Sequence, residues 1–219
     1  MKNIIISPSI LNSDFLHLED EIQKIITAGG SWLHLDVMDG DFVPNISVGN
    51  LFLERISPSI NLIKDVHIMI SKPIIHIEKF AKAGADYLTF HYEACKDNEE
   101  INQIIDLIHS YGMKAGLSIK PNTLVEEIFP FLDKLDIALI MSVEPGEGGQ
   151  KFIEDSLTRI SSLKHEIRKR NAETLISVDG GINDKTAPLC IQSGADILVV
   201  GSYLFNSQDF VSNYKKLLK

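Results

Sequence analysis

The chain has 219 residues, 44% of them hydrophobic and 23% charged, a balance that supports a substantial buried core and excludes long disordered stretches. Its 21 basic and 30 acidic residues leave a net charge of −9. The densest basic stretch, Lys164 to Arg170, reads as the polar face and basic last turn of a helix, so neither nucleic acid nor an anionic membrane is an expected partner. Two isolated cysteines, Cys95 and Cys190, give no disulfide framework and no cysteine-based zinc site. The apolar stretch after Met1-Lys2-Asn3 is too short for a signal peptide, and no run approaches the ~18 apolar residues of a membrane span, so a cytoplasmic protein is expected.

In chain order, short apolar or β-branched runs fall at Ile4–Ile6, Trp32–Val37, Leu62–Ile68, Tyr87–Phe90, Ala115–Ile119, Ile137–Met141, Leu175–Val178 and Ile197–Val200. Most are continuously apolar, as strands of a parallel sheet covered on both faces are. Between them lie segments with helical spacing: Phe15, Leu18, Ile22, Ile25 and Ile26; then Ile101, Ile104, Ile105 and Ile108; then Ile160, Leu163 and Ile167. Pro130 interrupts the pattern over Thr123–Lys134 and predicts a broken fifth helix. Gly29, Gly84, Gly112 and Gly194 sit where helices should end, a position that favours glycine. They are 55, 28 and 82 residues apart, near multiples of about 27, the length of one βα unit if eight share the chain. An α/β fold follows, a single (β/α)8 TIM barrel over residues 1–219. The competing open doubly wound sheet lacks the Gly-x-Gly-x-x-Gly turn expected after its first strand.

In such barrels the chemistry sits where strands end and βα loops begin. The second strand offers His34, Asp36 and Met38 on one face, since alternate strand residues point the same way. The third ends in His67 and Met69, and the seventh in Asp179. One such residue alone would read as a hydrogen-bonded strand-end group. Two His and two Asp at one barrel mouth suit a divalent transition metal. His17, His76, His109 and His165 fall on predicted helices, whereas His91, closing the fourth strand, is open between lining the mouth and a structural place. Glycines follow the last three strands: Gly146-Glu147-Gly148-Gly149, Gly180-Gly181 and Gly201-Ser202. Their backbone amides can wrap a phosphate even in an acidic protein. Met38, Met69 and Met141, all at strand ends, suggest an apolar collar that keeps water from a charged intermediate.

These residues resemble the ribulose-phosphate 3-epimerase family. The likeness runs from Ile6-Ser7-Pro8-Ser9-Ile10-Leu11 through His34-Leu35-Asp36-Val37-Met38-Asp39-Gly40, Phe42-Val43-Pro44-Asn45, Asp65-Val66-His67-Ile68-Met69, Met141-Ser142-Val143-Glu144-Pro145-Gly146 and Val178-Asp179-Gly180-Gly181 to Val200-Gly201-Ser202. The resemblance implies a ribulose-phosphate-binding barrel that interconverts ribulose 5-phosphate and xylulose 5-phosphate in the pentose phosphate pathway, with one divalent metal (Zn, Fe, Mn or Co). By its pattern His34, Asp36, His67 and Asp179 are ligands, and Asp36 and Asp179 are also the acid–base pair. Ser9 and His67 contact the sugar, while Gly146, Glu147, Gly148, Gly149, Gly180, Gly181, Gly201 and Ser202 surround its phosphate end. Glu147 departs from the family's aromatic or apolar residue, and a carboxylate beside a phosphate is repulsive, so it should turn to solvent. A homo-oligomer is expected.

Inverting a stereocentre beside a ketone needs one acid–base group on each face of the carbon. Strands two and seven, three steps apart around eight, separate Asp36 and Asp179 by roughly 135°, and a metal would stabilise the enediolate between them. A hexulose (allulose) 6-phosphate 3-epimerase is the nearest alternative, although Asp-Gly-Ser is expected there in place of Asp179-Gly180-Gly181. A decarboxylase-like barrel would need a Lys where Met38 stands. A non-catalytic sugar-phosphate-binding barrel would not need both acid–base groups.

Overall fold

The computed structural model describes residues 4–218; Met1-Lys2-Asn3, which precede the first strand, lie outside them. The eight strands are β1 (Ile5–Pro8), β2 (Trp32–Met38), β3 (Ile63–Met69), β4 (Tyr87–His91), β5 (Lys114–Ile119), β6 (Ile137–Met141), β7 (Leu175–Asp179) and β8 (Ile197–Val200). All seven pairings are parallel, in the order β1-β8-β7-β6-β5-β4-β3-β2. A parallel bridge between Ser9 and His34 brings the two free edges together into a barrel. The α-helices are α1 (Leu18–Thr27), α2 (Asn50–Ile56), α3 (Ile77–Lys82), α4 (Asn98–Ser110), α5 (Ser156–Arg170), α6 (Thr186–Ser193), α7 (Ser202–Phe205) and α8 (Phe210–Lys216). No helix among the described residues is long and apolar enough to cross a membrane.

Between β5 and β6 the chain makes a 3-10 helix, Val125–Phe131, with Pro130 inside it, because proline withholds an amide and obstructs the preceding turn of an α-helix. Gly29, Gly84, Gly112 and Gly194 all have positive φ, as their helix-ending positions require. The basic stretch closes α5, with Arg168, Lys169 and Arg170 in its last turn. One expectation needs correction. Phe15 does not open a continuous helix with Leu18: Asp14 takes the Leu16 amide at 3.0 Å, the chain tightens into a 3-10 turn over Phe15–His17, and Phe15 and Ile26 stay largely exposed.

Two apolar regions hold the barrel. Outward residues such as Leu33, Leu35, Val66, Ile68, Leu88 and Phe90 pack with the inner faces of the helices. On α4 that face is Ile101, Ile104, Ile105 and Ile108, all fully buried, each worth about 1.5–3 kcal/mol against exposure. Inside the barrel, Trp32, Ile137, Leu139 and Ile197 form an apolar floor. Because side chains alternate, the inward positions above Trp32 on β2 are His34, Asp36 and Met38. The floor is apolar and the mouth is polar.

Candidate metal and acid–base centre

The register of β2 on β3 sets Asp36 beside His67 and His34 beside Asp65. Asp179 arrives from the end of β7, paired with Met141 on β6 and Val199 on β8. One donor atom from each of His34, Asp36, His67 and Asp179 fits within 4.8 Å of all the others. His67 Nδ1 is 3.3 Å from Asp36 Oδ1 and 3.7 Å from Asp179 Oδ2. His34 Nε2 lies 3.3 Å from Asp36 Oδ1, yet the approach is not aligned for a hydrogen bond, and this nitrogen is a buried polar atom without a partner. A buried imidazole nitrogen aimed at two carboxylates and a second imidazole is what a divalent cation would satisfy. The donor set fits such an ion.

Surrounding groups fix these side chains. His34 Nδ1 meets Asp65 Oδ2 at 2.8 Å, and Ser7 Oγ donates to the same oxygen at 2.9 Å. Ser9 Oγ donates to Asp36 Oδ2 at 2.5 Å. Asp65 and Glu93 do not stand out in the sequence as site residues, whereas His91 does, as a strand-end histidine whose place is left open. Asp65 could have been found as the residue two before His67, on the same inward face.

The two carboxylates ionise differently. Burial works against charge on Asp36, but His34 and His67 outweigh it and hold the carboxyl well below its usual range. Burial and the negative charge of Asp36 push Asp179 up to about 6, with Asp65 adding to the rise and His34 and His67 opposing it. His34 is raised well above the ordinary imidazole value: burial opposes, but Asp65 and Asp36 win. In the metal-free site the surroundings favour the ionised form of Asp36 and make Asp179 the easier of the two to protonate.

A consequence for stability follows from Asp179. Its folded value of about 6 lies above the ordinary 3.8. Such a group contributes stability that is fully present below the unfolded value and is lost as pH rises through the folded one. For the metal-free protein this removes up to about 3 kcal/mol between roughly pH 4 and pH 7. Asp179→Asn should therefore make the metal-free protein more stable than the parent to urea at about pH 7.5, and equal stability would contradict the ionisation assigned here.

One cleft above the cluster is lined by Ser9, Asp36, Asp179, all three methionines and the three late glycine loops, including Ser202. Met38 and Met69 pack together with Val43, whereas Met141 packs with Val143 on the far wall. His34 and His67 lie fully buried beneath. At Gly181 φ is +65°, and an added Cβ would come within 2.5 Å of the Phe152 amide nitrogen. A side chain there would be both strained and obstructed. Ser142 Oγ lies 2.8 and 2.7 Å from the carbonyls of Asp179 and Gly180, and Thr186 Oγ1 donates to that of Gly181 at 3.0 Å, so this turn is tied on both sides. Glu147 is exposed on the rim, with its carbonyl accepting from Gln150 Nε2 at 2.8 Å.

Around the cluster's other side, His91 is fully buried and its Nε2 is 2.9 Å from His67 Nε2. It lies behind His67, outside the four-residue cluster. Burial, with the charges of His67 and Lys120, pushes it down to about 4 against the pull of Glu93.

A parallel eight-stranded barrel with a His/Asp cluster that could hold a metal ion and a glycine-lined cleft at its mouth defines the class, a TIM barrel with an enzyme-like site at the C-terminal ends of its strands. Comparison with known proteins narrows it. The ribulose-phosphate 3 epimerase family matches residues 5–205. A ribulose-phosphate 3-epimerase of Bacillus subtilis (strain 168) is 45% identical over 205 residues, covering 93% of both chains. The chloroplastic ribulose-5-phosphate-3-epimerase of Arabidopsis thaliana is 40% identical over 213 residues, 97% of this chain and 75% of that one. Among solved structures, 3-hexulose-6-phosphate synthase from Salmonella typhimurium aligns with a TM-score of 0.71 at 18% identity, covering 99% and 96% of the two chains, a likeness of fold alone. The chain belongs to the ribulose-phosphate 3-epimerase family.

Proposed function

We propose that residues 1–219 act as one catalytic domain that interconverts D-ribulose 5-phosphate and D-xylulose 5-phosphate by inverting C3, in the pentose phosphate pathway of the cytoplasm. The observation that carries this reading is the convergence of Asp36 and Asp179, from β2 and β7, on one buried cluster with His34 and His67, where burial and neighbouring charges favour opposite ionisation of the two carboxyls. Family membership supports the substrate. His34, Asp36, His67 and Asp179 would hold one divalent cation, either zinc, iron, manganese or cobalt; when bound, it supplies Lewis-acid stabilisation of the negative charge that develops on the substrate oxygens.

The chain's own residues do the proton work. Asp36, ionised, takes the C3 proton from one face, and the bonding pair moves into the adjacent carbonyl to give an enediolate. Asp179, protonated, returns a proton to the opposite face. In the reverse direction the two exchange roles. Ser9, hydrogen-bonded to Asp36, orients that carboxylate and meets the sugar, whereas His67, expected from the resemblance to touch the sugar too, lies buried beneath the cleft and would act through the cation it helps to hold. The amides of Gly146 to Gly149, Gly180, Gly181, Gly201 and Ser202 hold the phosphate, with Glu147 directed to solvent. Met38, Met69 and Met141 limit water around the enediolate. Assembly into a homo-oligomer belongs to the same proposal.

Turnover of ribulose 5-phosphate and allulose 6-phosphate, measured side by side, tests the substrate. A higher kcat/KM for the five-carbon ketose is expected. The reverse order would favour a hexulose-phosphate epimerase, and no turnover of either would leave a binding barrel.

A further inference from the structure

His67 makes contacts on both sides of its ring, and the second set has no part in the reaction described above. Its Nδ1 faces the carboxylates of Asp36 and Asp179. Its Nε2 lies 2.9 Å from His91 Nε2, and His91 Nδ1 lies 3.2 Å from Glu93 Oε2. The other oxygen of Glu93 accepts the Lys120 amide at 2.7 Å and the Thr123 hydroxyl. Every member of this line is anchored. The His91 ring lies 4.8 Å from that of Phe42, whose own face carries the Lys120 ammonium at 4.0 Å. Arg159 of α5 fixes the turn that presents Lys120 and Thr123, donating to their carbonyls at 2.8 and 3.2 Å.

Two imidazole nitrogens 2.9 Å apart form a hydrogen bond only if one carries the proton and the other does not. A His67 that ligates through Nδ1 must carry its proton on Nε2. His91 Nε2 then accepts, so the His91 proton sits on Nδ1 and points at Glu93. Glu93, one oxygen of which already accepts from the Lys120 amide and the Thr123 hydroxyl, offers His91 its other oxygen as acceptor. The tautomers are therefore fixed in sequence from the β5 turn inward. His34 has a shorter equivalent in Asp65 and Ser7.

We propose that His91 and Glu93 are positioning residues which, through His67, fix the tautomer and orientation in which it offers Nδ1 to the metal. This rests on the metal reading above. The groups that orient an imidazole ligand commonly contribute about 10- to 100-fold in metal affinity, and a fixed His67 Nδ1 is needed before a substrate oxygen can be presented to the cation.

The test is zinc affinity, measured by chelator competition on the purified protein without substrate. In the zinc-loaded parent, long-range ¹H–¹⁵N spectra should show the proton on Nε2 of His67 and on Nδ1 of His91. His91→Phe keeps the ring against Phe42 but removes the acceptor, and should weaken zinc binding by about 10- to 100-fold. Glu93→Gln leaves His91 in place and should move affinity the same way; it decides the matter if His91→Phe does not fold. Folded variants that bind zinc within about twofold of the parent, or the opposite tautomers in the parent, would overturn the relay alone. A parent that takes up no zinc would overturn the metal reading, and the relay with it.

Discussion

With the metal at saturation, Asp179→Asn should lower epimerisation by about 10³-fold or more, since a positioned acid–base group contributes roughly 10²–10⁴ and this side chain is also placed as a ligand. The loss should be directional. Asp36 keeps its two histidine neighbours and the Ser9 hydroxyl, so it still removes the C3 proton from the epimer that presents it on that face. Exchange of that proton with solvent should survive in one ketose phosphate and vanish in the other, read by ¹H NMR in deuterated water. Metal content measured alongside separates loss of the ion from loss of the acid. Full epimerisation by the variant would contradict the two-carboxylate assignment.

Stripping the protein with a chelator should be of similar size. Two carboxylates, a third in Asp65 and a developing enediolate would share one buried volume, with only the His34 and His67 imidazoles to offset them. A Lewis acid is worth several kcal/mol of charge stabilisation, so kcat/KM should fall by about 10³-fold or more and return when the ion is added back. The site's own electrostatics add a pH signature. In the metal-free site Asp65 and Asp36 favour the protonated form of His34, and a ligand nitrogen must shed its proton to bind, so metal affinity should decline as pH falls. Undiminished turnover by protein shown to contain only trace metal would rule out this role for the ion.

Much of this site was legible in the sequence because strand periodicity is rigid. Once Trp32–Val37 and Leu62–Ile68 are strands, His34, Asp36 and Met38 must share a face, and they do. The late glycines were readable for the same reason, since they follow strand ends. What could not be read was register. That Asp36 stands beside His67, and His34 beside Asp65, depends on how β2 and β3 slide past one another, which no local pattern states. The relay behind His67 was hidden more deeply. His91 ends β4 and Glu93 follows it, while Lys120 and Thr123 follow β5, and the pairing of β4 with β5 brings them together. The start of α1 was misread because a side-chain cap from Asp14 outcompeted the apolar spacing of Phe15.

In the proposed reaction two carboxylates on opposite faces of C3 exchange their protons with solvent. This is tested most directly by running the metal-reconstituted protein on ribulose 5-phosphate in deuterated water. Xylulose 5-phosphate carrying solvent deuterium at C3 is expected. Xylulose 5-phosphate that retains the original hydrogen, or no product after metal is restored, would contradict it.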